Sequence, residues 1–283
     1  MSAFKLVEPG RGRPWWWLGR VVRWLAVGED TRERYALQEV SVRPGDEPVA
    51  HIHHRATECL YVLAGGPLEL RAASETRTLR PGSFVSIDKG TAHRLKNMVE
   101  GEARFLRWCF PAGFDRFQFA AGKEVADPDN PSEATDADRK RALDLAPEFG
   151  IEMNPDDEAF ERPPEVQITR DGEGPTTPIA GNLWTTFADG SGTTRGFAMY
   201  DVAVAPGEGA PPLQHESVDV GCYVVGGTTR FDVDDTPVAA KAGTFLHLPA
   251  GTKLRMLAAG EQPARVLMWA TPAVDLLTLA GAP

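Results

Sequence analysis

Short apolar runs alternate along the chain with turns that carry glycine and proline. ALQEVSV, beginning at Ala36, and AMYDVAV, beginning at Ala198, have strand length, are rich in β-branched residues and partly alternate. Pro44-Gly45, Gly65-Gly66-Pro67, Pro81-Gly82 and Lys89-Gly90 punctuate such runs as turns. Many short strands with frequent turns predict an all-β architecture, either a sandwich or a closed barrel. Closure would also remove exposed strand edges.

The pattern occurs twice, at an offset of 162 residues. RYALQEVSVRPG (Arg34 to Gly45) matches GFAMYDVAVAPG (Gly196 to Gly207), aromatic on aromatic at Tyr35 and Phe197 and acid on acid at Glu39 and Asp201. The register carries on through His53 and His215, Tyr61 and Tyr223, and Gly65 and Gly227. After one deletion, PGSFVSIDKGT from Pro81 matches AGTFLHLPAGT from Ala242. The chain therefore holds two copies of one β unit. Between them, residues 121–136 are polar and proline-bearing, DADRKRALDLA reads as a short helix, and residues 154–175 are loop-like and acidic. Thr135 is the expected N-cap of the helix, Asp138 its acid three residues on, and Pro147 its stop. The expected division is a β unit over 1–120, a connector with a short helix over 121–165, and a second β unit over 166–283.

Composition narrows the class. Hydrophobic residues make up 42% and charged residues 25%, enough for a folded core. The net charge of −10 repels phosphate backbones and argues against a nucleic-acid partner. Cys59, Cys109 and Cys222 form no close pair and read as packed thiols in a reducing, cytoplasmic compartment. No apolar run approaches the roughly 20 residues that span a bilayer, so no membrane partner is expected. Trp15-Trp16-Trp17 is flanked by arginines and is expected to pack over a domain.

Candidate chemistry lies in the first copy, which holds four of the six histidines, His51, His53, His54 and His93. His51 and His53 are two apart on a predicted strand and face one side. Glu58 shares the inward parity of Leu60 and Val62, and His93 follows the next pair of turns. His54 has the opposite parity and should face outward. Three imidazoles and one carboxylate converging inside the unit suit divalent iron, manganese, nickel, cobalt, copper or zinc.

These residues carry a family resemblance. Gly45 to Gly65 has the spacing G-x5-H-x-H-x4-E-x6-G, and Gly82 to Asn97 fits G-x5-P-x-G-x2-H-x3-N except that Asp88 stands where proline is expected. Together they resemble the two cupin motifs, and the whole chain resembles a bicupin. The resemblance implies two tandem antiparallel β-barrels of jelly-roll type, with His51, His53, Glu58 and His93 as ligands of one metal ion. It also implies a homodimer, a common state of cupins. The first half is further similar to quercetinase-type cupins, through GEDT after Val27, RYAL, H-I-H-H-R, YVLAG, PAGFDRF (Pro111 to Phe117) and LDLAPEFGIE (Leu143 to Glu152). That similarity implies a dioxygenase that opens a flavonol-like aromatic or enolic substrate with dioxygen, Glu58 being both ligand and general base. Tyr35, Trp108 and Phe114 are the aromatic residues expected near the barrel mouth to hold a flat substrate.

In the second copy the ligand positions read Leu213, His215, Val220 and Leu254, so a degenerate, greasy interior without metal is expected. Glu216, Asp219 and His247 are the residues that remain there for some other site. Two alternative functions follow. One is a non-oxidative metal-dependent cyclase, isomerase or lyase using the ion as a Lewis acid. The other is a binding or sensing protein whose second barrel holds a small apolar ligand.

Overall fold

The structure, a computed structural model, describes residues 4–125, 127–194, 196–206 and 212–280; Gly207, the end of the second repeat motif, lies outside them. The chain divides into two compact units, Gly12–Asp171 and a second made of Met1–Arg11 with Gly172–Pro283.

The first unit is two antiparallel sheets. The larger runs Val166–Thr169, Phe84–Ile87, Thr57–Ala64, Ala103–Phe110, Ala36–Val42, Arg20–Ala26 and Arg13–Trp17. The smaller runs Ile151–Met153, His51–His53, His93–Asn97, Leu68–Ala72 and Glu75–Leu79. Their facing sides enclose one core, to which Ala36, Val40, Leu60, Val85, Phe105 and Leu70 contribute. The inward residues alternate along each strand, as the period of two requires. The second unit repeats the plan. Lys5–Val7, Phe245–Leu248, Asp219–Gly226, Ala264–Thr271, Ala198–Val204, Asn182–Asp189 and Thr176–Ile179 make one sheet; Thr236–Lys241, Thr228–Val233 and Leu254–Ala258 make the other. The all-β expectation of two tandem antiparallel barrels is met.

Two boundaries differ from those expected. Lys5–Val7 pairs with Phe245–Leu248 and belongs to the second unit, whereas Val166–Thr169 pairs with Phe84–Ile87 and belongs to the first. The repeat thus begins with a strand that each copy gives to the other unit: KLVEPG from Lys5 matches QITRDG from Gln167 in the same 162-residue register. Gly10 and Gly172 hold matching left-handed conformations, with φ of 74° and 75°. A three- or four-residue edge strand has too weak a pattern of its own to reveal which sheet it joins.

The connector is likewise part of the first unit. Helices Phe114–Ala121 and Asp136–Leu145 follow its last long strand. Thr135 caps the second helix as expected, its hydroxyl accepting from Asp138 N at 3.2 Å while Asp138 accepts from Thr135 N at 2.9 Å. A 3-10 turn over Ala146–Phe149 then leads into Ile151–Met153, which pairs with His51–His53. The tryptophans pack on this layer: Trp15 meets Phe119 edge-on at 4.9 Å, and Trp17 meets Phe117 at 5.1 Å. All three cysteines are buried free thiols, and burial raises each above its ordinary pKa. Among the described residues no helix is long and apolar enough to cross a membrane.

Candidate metal centre

The two sheets of the first unit face each other across four polar side chains. His51 and His53 come from the short strand of the smaller sheet, and His93 opens the strand beside it, directly opposite His51 in the register. Glu58 comes from the middle of the larger sheet, flanked by Cys109 and Ile87. One ligand atom from each of the four lies within 4.8 Å of the others. His53, Glu58 and His93 are buried, and His51 is the member nearest solvent. His54, of opposite parity, is exposed and bonds Glu152 at 3.0 Å.

The atoms point at a common centre instead of at one another. His53 Nε2 is 2.8 Å from Glu58 Oε2 and His51 Nε2 is 3.5 Å from it, yet none of these atoms, nor His93 Nε2, has a partner in hydrogen-bond geometry. Four such orphans in one buried spot would be costly without a shared partner. The far side of two rings is fixed. Nδ1 of His51 donates to Val49 O, and Nδ1 of His93 donates to Thr91 O, each at 2.9 Å. A carbonyl can only accept, so the proton sits on Nδ1 and the Nε2 lone pair stays free for a cation. The donor set, three imidazoles and one carboxylate, fits a divalent transition ion of the kind expected.

The electrostatics agree. Burial, followed by the neighbouring His93, pushes His51 down to about 4 against the pull of Glu58. Burial likewise lowers His53. Burial alone would raise Glu58, but Arg107 and the three imidazoles outweigh it and hold the carboxyl well below the usual range. At neutral pH His51 and His53 are thus held as neutral imidazoles beside an ionised Glu58, the state in which such groups bind metal.

A stability prediction follows. Unfolded, His51 titrates near 6.5; folded, it resists protonation down to about 4. As pH falls the unfolded chain takes up that proton first, so stability present above pH 6.5 is lost between 6.5 and about 4. His51 alone accounts for about 3 kcal/mol of this loss. Urea unfolding of chelator-treated protein should show it across that window, and an invariant midpoint would refute the assignment.

A cavity of about 220 Å³ opens beside His51. Trp17, Val40, Phe105, Phe117 and Ile151 give it apolar walls, and Arg20 and Arg107 line it as well. A broader cleft of about 400 Å³ is lined by His53, Gly113 and Phe149. Phe114 borders both spaces, with its ring 4.9 Å from that of His53 and parallel to that of His51 at 6.4 Å.

Of the three aromatic residues expected at the mouth, Phe114 is there and the other two are not. Ala103, Phe105 and Cys109 face the core, so Trp108, between inward residues, points to the opposite face of the sheet. Tyr35 likewise precedes Ala36 and Val40, which face inward, and neither Tyr35 nor Trp108 lines either space. Sequence reading missed Trp17, Phe105, Phe117, Arg20 and Arg107. Arg107 left a signal: a single inward-parity charge in the otherwise apolar stretch FLRWCF.

In the second unit Leu213 and Leu254 form a bridge at the positions where His51 and His93 pair in the first. The interior there keeps only about 10 Å³ free, near the minimum for one water, and Leu276 and Leu279 complete its lining. Among the described residues the matched positions therefore offer no donor set for a metal, and leucines occupy most of the interior. Glu216 is exposed, whereas Asp219 and His247 are buried with carboxylate and ring 4.0 Å apart, so these three form no common site. Among the described residues no second group of metal-ligating side chains occurs.

Fold and site together define a two-barrel β protein with one centre built to take a metal ion. The family model described as Cupin domain matches residues 38–109 and 200–270, just over half of the chain. The chain belongs to the cupin family and carries two cupin domains. Solved structures repeat the fold across nearly the whole chain. Protein Ylba from E. coli is 12% identical, with 96% of this chain and 92% of that chain covered and a TM-score of 0.67. A single-site variant of oxalate decarboxylase from Bacillus subtilis is 16% identical, with 95% and 77% covered and a TM-score of 0.66. A protein described as glyoxylate-induced from Pseudomonas aeruginosa is 17% identical, with 95% and 89% covered and a TM-score of 0.66. No curated protein matches the sequence.

Proposed function

We propose that this protein is a mononuclear-metal dioxygenase acting on a small aromatic or enolic molecule bound beside His51. The observation that carries the reading is the set of three imidazole nitrogens and one carboxylate aimed at a common centre, with an aromatic-lined cavity opening at its exposed edge. His51, His53, Glu58 and His93 would hold the ion, which would supply Lewis-acid chemistry to a substrate bound beside it. A divalent ion bound there would acidify a coordinated hydroxyl and bring two reactants together.

The chain's own groups do the rest. Glu58 is ionised and a weak base, so the proton it accepts must come from a hydroxyl already acidified. The charge of Arg107 lowers that basicity. Phe114, Phe105 and Phe117 present apolar surface to a flat ring and exclude water around it. Both atoms of dioxygen enter the product, so no external reductant is required. The cavity is smaller than the roughly 300–1,000 Å³ of sites for drug-sized ligands. That size favours a substrate of one or two rings over a complete flavonol.

Elemental analysis should find one transition metal per chain, and His51→Ala should lose it. Two metals per chain would contradict the filled second barrel, and none would overturn the reading altogether. An oxygen electrode then tests the reaction: small aromatic enols should be consumed in step with dioxygen. Equal turnover without oxygen would replace the dioxygenase with a cyclase, isomerase or lyase at the same centre.

A further inference from the structure

The cavity beside His51 has walls of aromatic and aliphatic carbon but an imbalance of charge. Three arginines, Arg20, Arg107 and Arg139, and one carboxylate, Glu47, line it. Glu47 is engaged outside it by Arg94 at 2.8 Å and Lys96 at 3.5 Å, and Arg139 is engaged by Asp136 at 3.2 Å. The remaining two guanidiniums have weak partners. The nearest carboxylate oxygen to Arg20, on Asp46, is 3.9 Å away, at the limit of an ion pair, although the Arg20 side chain is only 18% exposed. Arg20 Nε is buried without a hydrogen-bond partner. Arg107 is 9% exposed, and its hydrogen-bond and ring partners are uncharged. With the Gln38 amide oxygen turned toward it, Gln38 accepts from Arg107 Nε at 3.2 Å and Nη2 at 3.3 Å, and the guanidinium lies 4.7 Å over the Phe114 ring. Its electrostatic partner is Glu58, whose charge a bound cation would share.

Two guanidiniums largely withdrawn from water beside a cation site leave the cavity lining with an excess of positive side chains. Burial of such charges is unfavourable unless an anion offsets it. The planar guanidinium fork matches a carboxylate, with bonds that are short and charge-assisted. The apolar walls leave no room for the hydration shell that a bare inorganic anion keeps. We infer that the cavity binds a monocarboxylate on a flat apolar body, its ring against Phe105 and Phe117 and its carboxylate held by Arg20 and Arg107. This names the substrate class of the centre proposed above and rests on that reading for the chemistry, but its binding test does not depend on turnover.

Cinnamate and cinnamamide are suitable probes, because they share shape and ring and differ in charge. Titrated calorimetrically into the metal-loaded protein under nitrogen, cinnamate should bind at least about tenfold more tightly than the amide. Arg20→Met and Arg107→Met should each lose about tenfold or more of the affinity for cinnamate, leave that for cinnamamide unchanged, and keep one metal per chain. Arg20→Lys should recover part of the loss. Equal binding of acid and amide, absence of binding by both, or unchanged cinnamate affinity in Arg20→Met would each overturn the inference. If Arg107→Met does not fold, wild-type discrimination and Arg20→Met decide alone. Acid-selective binding without oxygen uptake on any carboxylated enol would uphold the carboxylate site and reject the dioxygenase. Oxygen uptake on neutral enols with no acid selectivity would do the reverse.

Discussion

Replacing Glu58 by glutamine is expected to lower kcat by about a thousandfold or more, since general bases contribute on the order of 10²–10⁴. The amide preserves the shape of the side chain but can neither accept a proton nor balance Arg107. Metal content of the variant separates its two roles. One metal per chain with turnover lost identifies the proton acceptor, whereas loss of both identifies chiefly a ligand. A variant that keeps its metal and turns over within tenfold of the parent would remove Glu58 from the mechanism. His93→Ala, which deletes an imidazole at the same centre, should remove metal and turnover together.

Gly65→Ala should produce the largest loss of stability among single-methyl changes near the first barrel. Gly65 closes the first histidine motif with φ of 73°, and a Cβ there would lie 2.1 Å from Glu102 O and 2.8 Å from Ala103 Cα. Both are backbone atoms, Ala103 opening the neighbouring strand and Glu102 just before it, and cannot swing aside. Left-handed backbone costs about 1–2 kcal/mol and forced overpacking about 1–3 more, so a total of about 3–4 kcal/mol is expected. That corresponds to a fall of about 10 °C in Tm. Gly45→Ala is the control, because Gly45 has the same φ of 73° but nothing within 4 Å of an added Cβ. If both variants melt alike, close approach to the next strand is not what selects glycine at position 65. Gly227 repeats the arrangement in the second barrel, with φ of 73° and Pro263 O at 2.8 Å. The glycine persists where the ligands are gone, as a structural requirement should.

The donor set was legible because two physical signals coincided: period-two parity put His51, His53 and Glu58 on inward faces, and turn glycines fixed where His93 re-entered. The loss of the second site was equally legible, as Leu213 and Leu254 replace donors with methyl groups at matched positions. The pocket was read less well. Tyr35 and Trp108 are aromatic, but parity sends them to the wrong face, and composition does not encode that without the register of Ala103–Phe110 against Ala36–Val42. Arg20 could not be placed from the sequence, because its approach to the cavity depends on how its strand, Arg20–Ala26, pairs with Ala36–Val42. Ile151 and Met153 were hidden inside what reads as a connector, where a three-residue strand has no periodicity to display.

The exchanged first strands have a consequence for biosynthesis. During translation the amino-terminal barrel obtains its last edge, Val166–Thr169, as soon as that stretch leaves the ribosome, and can close while the remainder is still being made. Lys5–Val7 is synthesised well before its mate, Phe245–Leu248, emerges. Until then it is an edge without its native partner, and its pairing is a contact of long sequence separation, the kind that is slow to form.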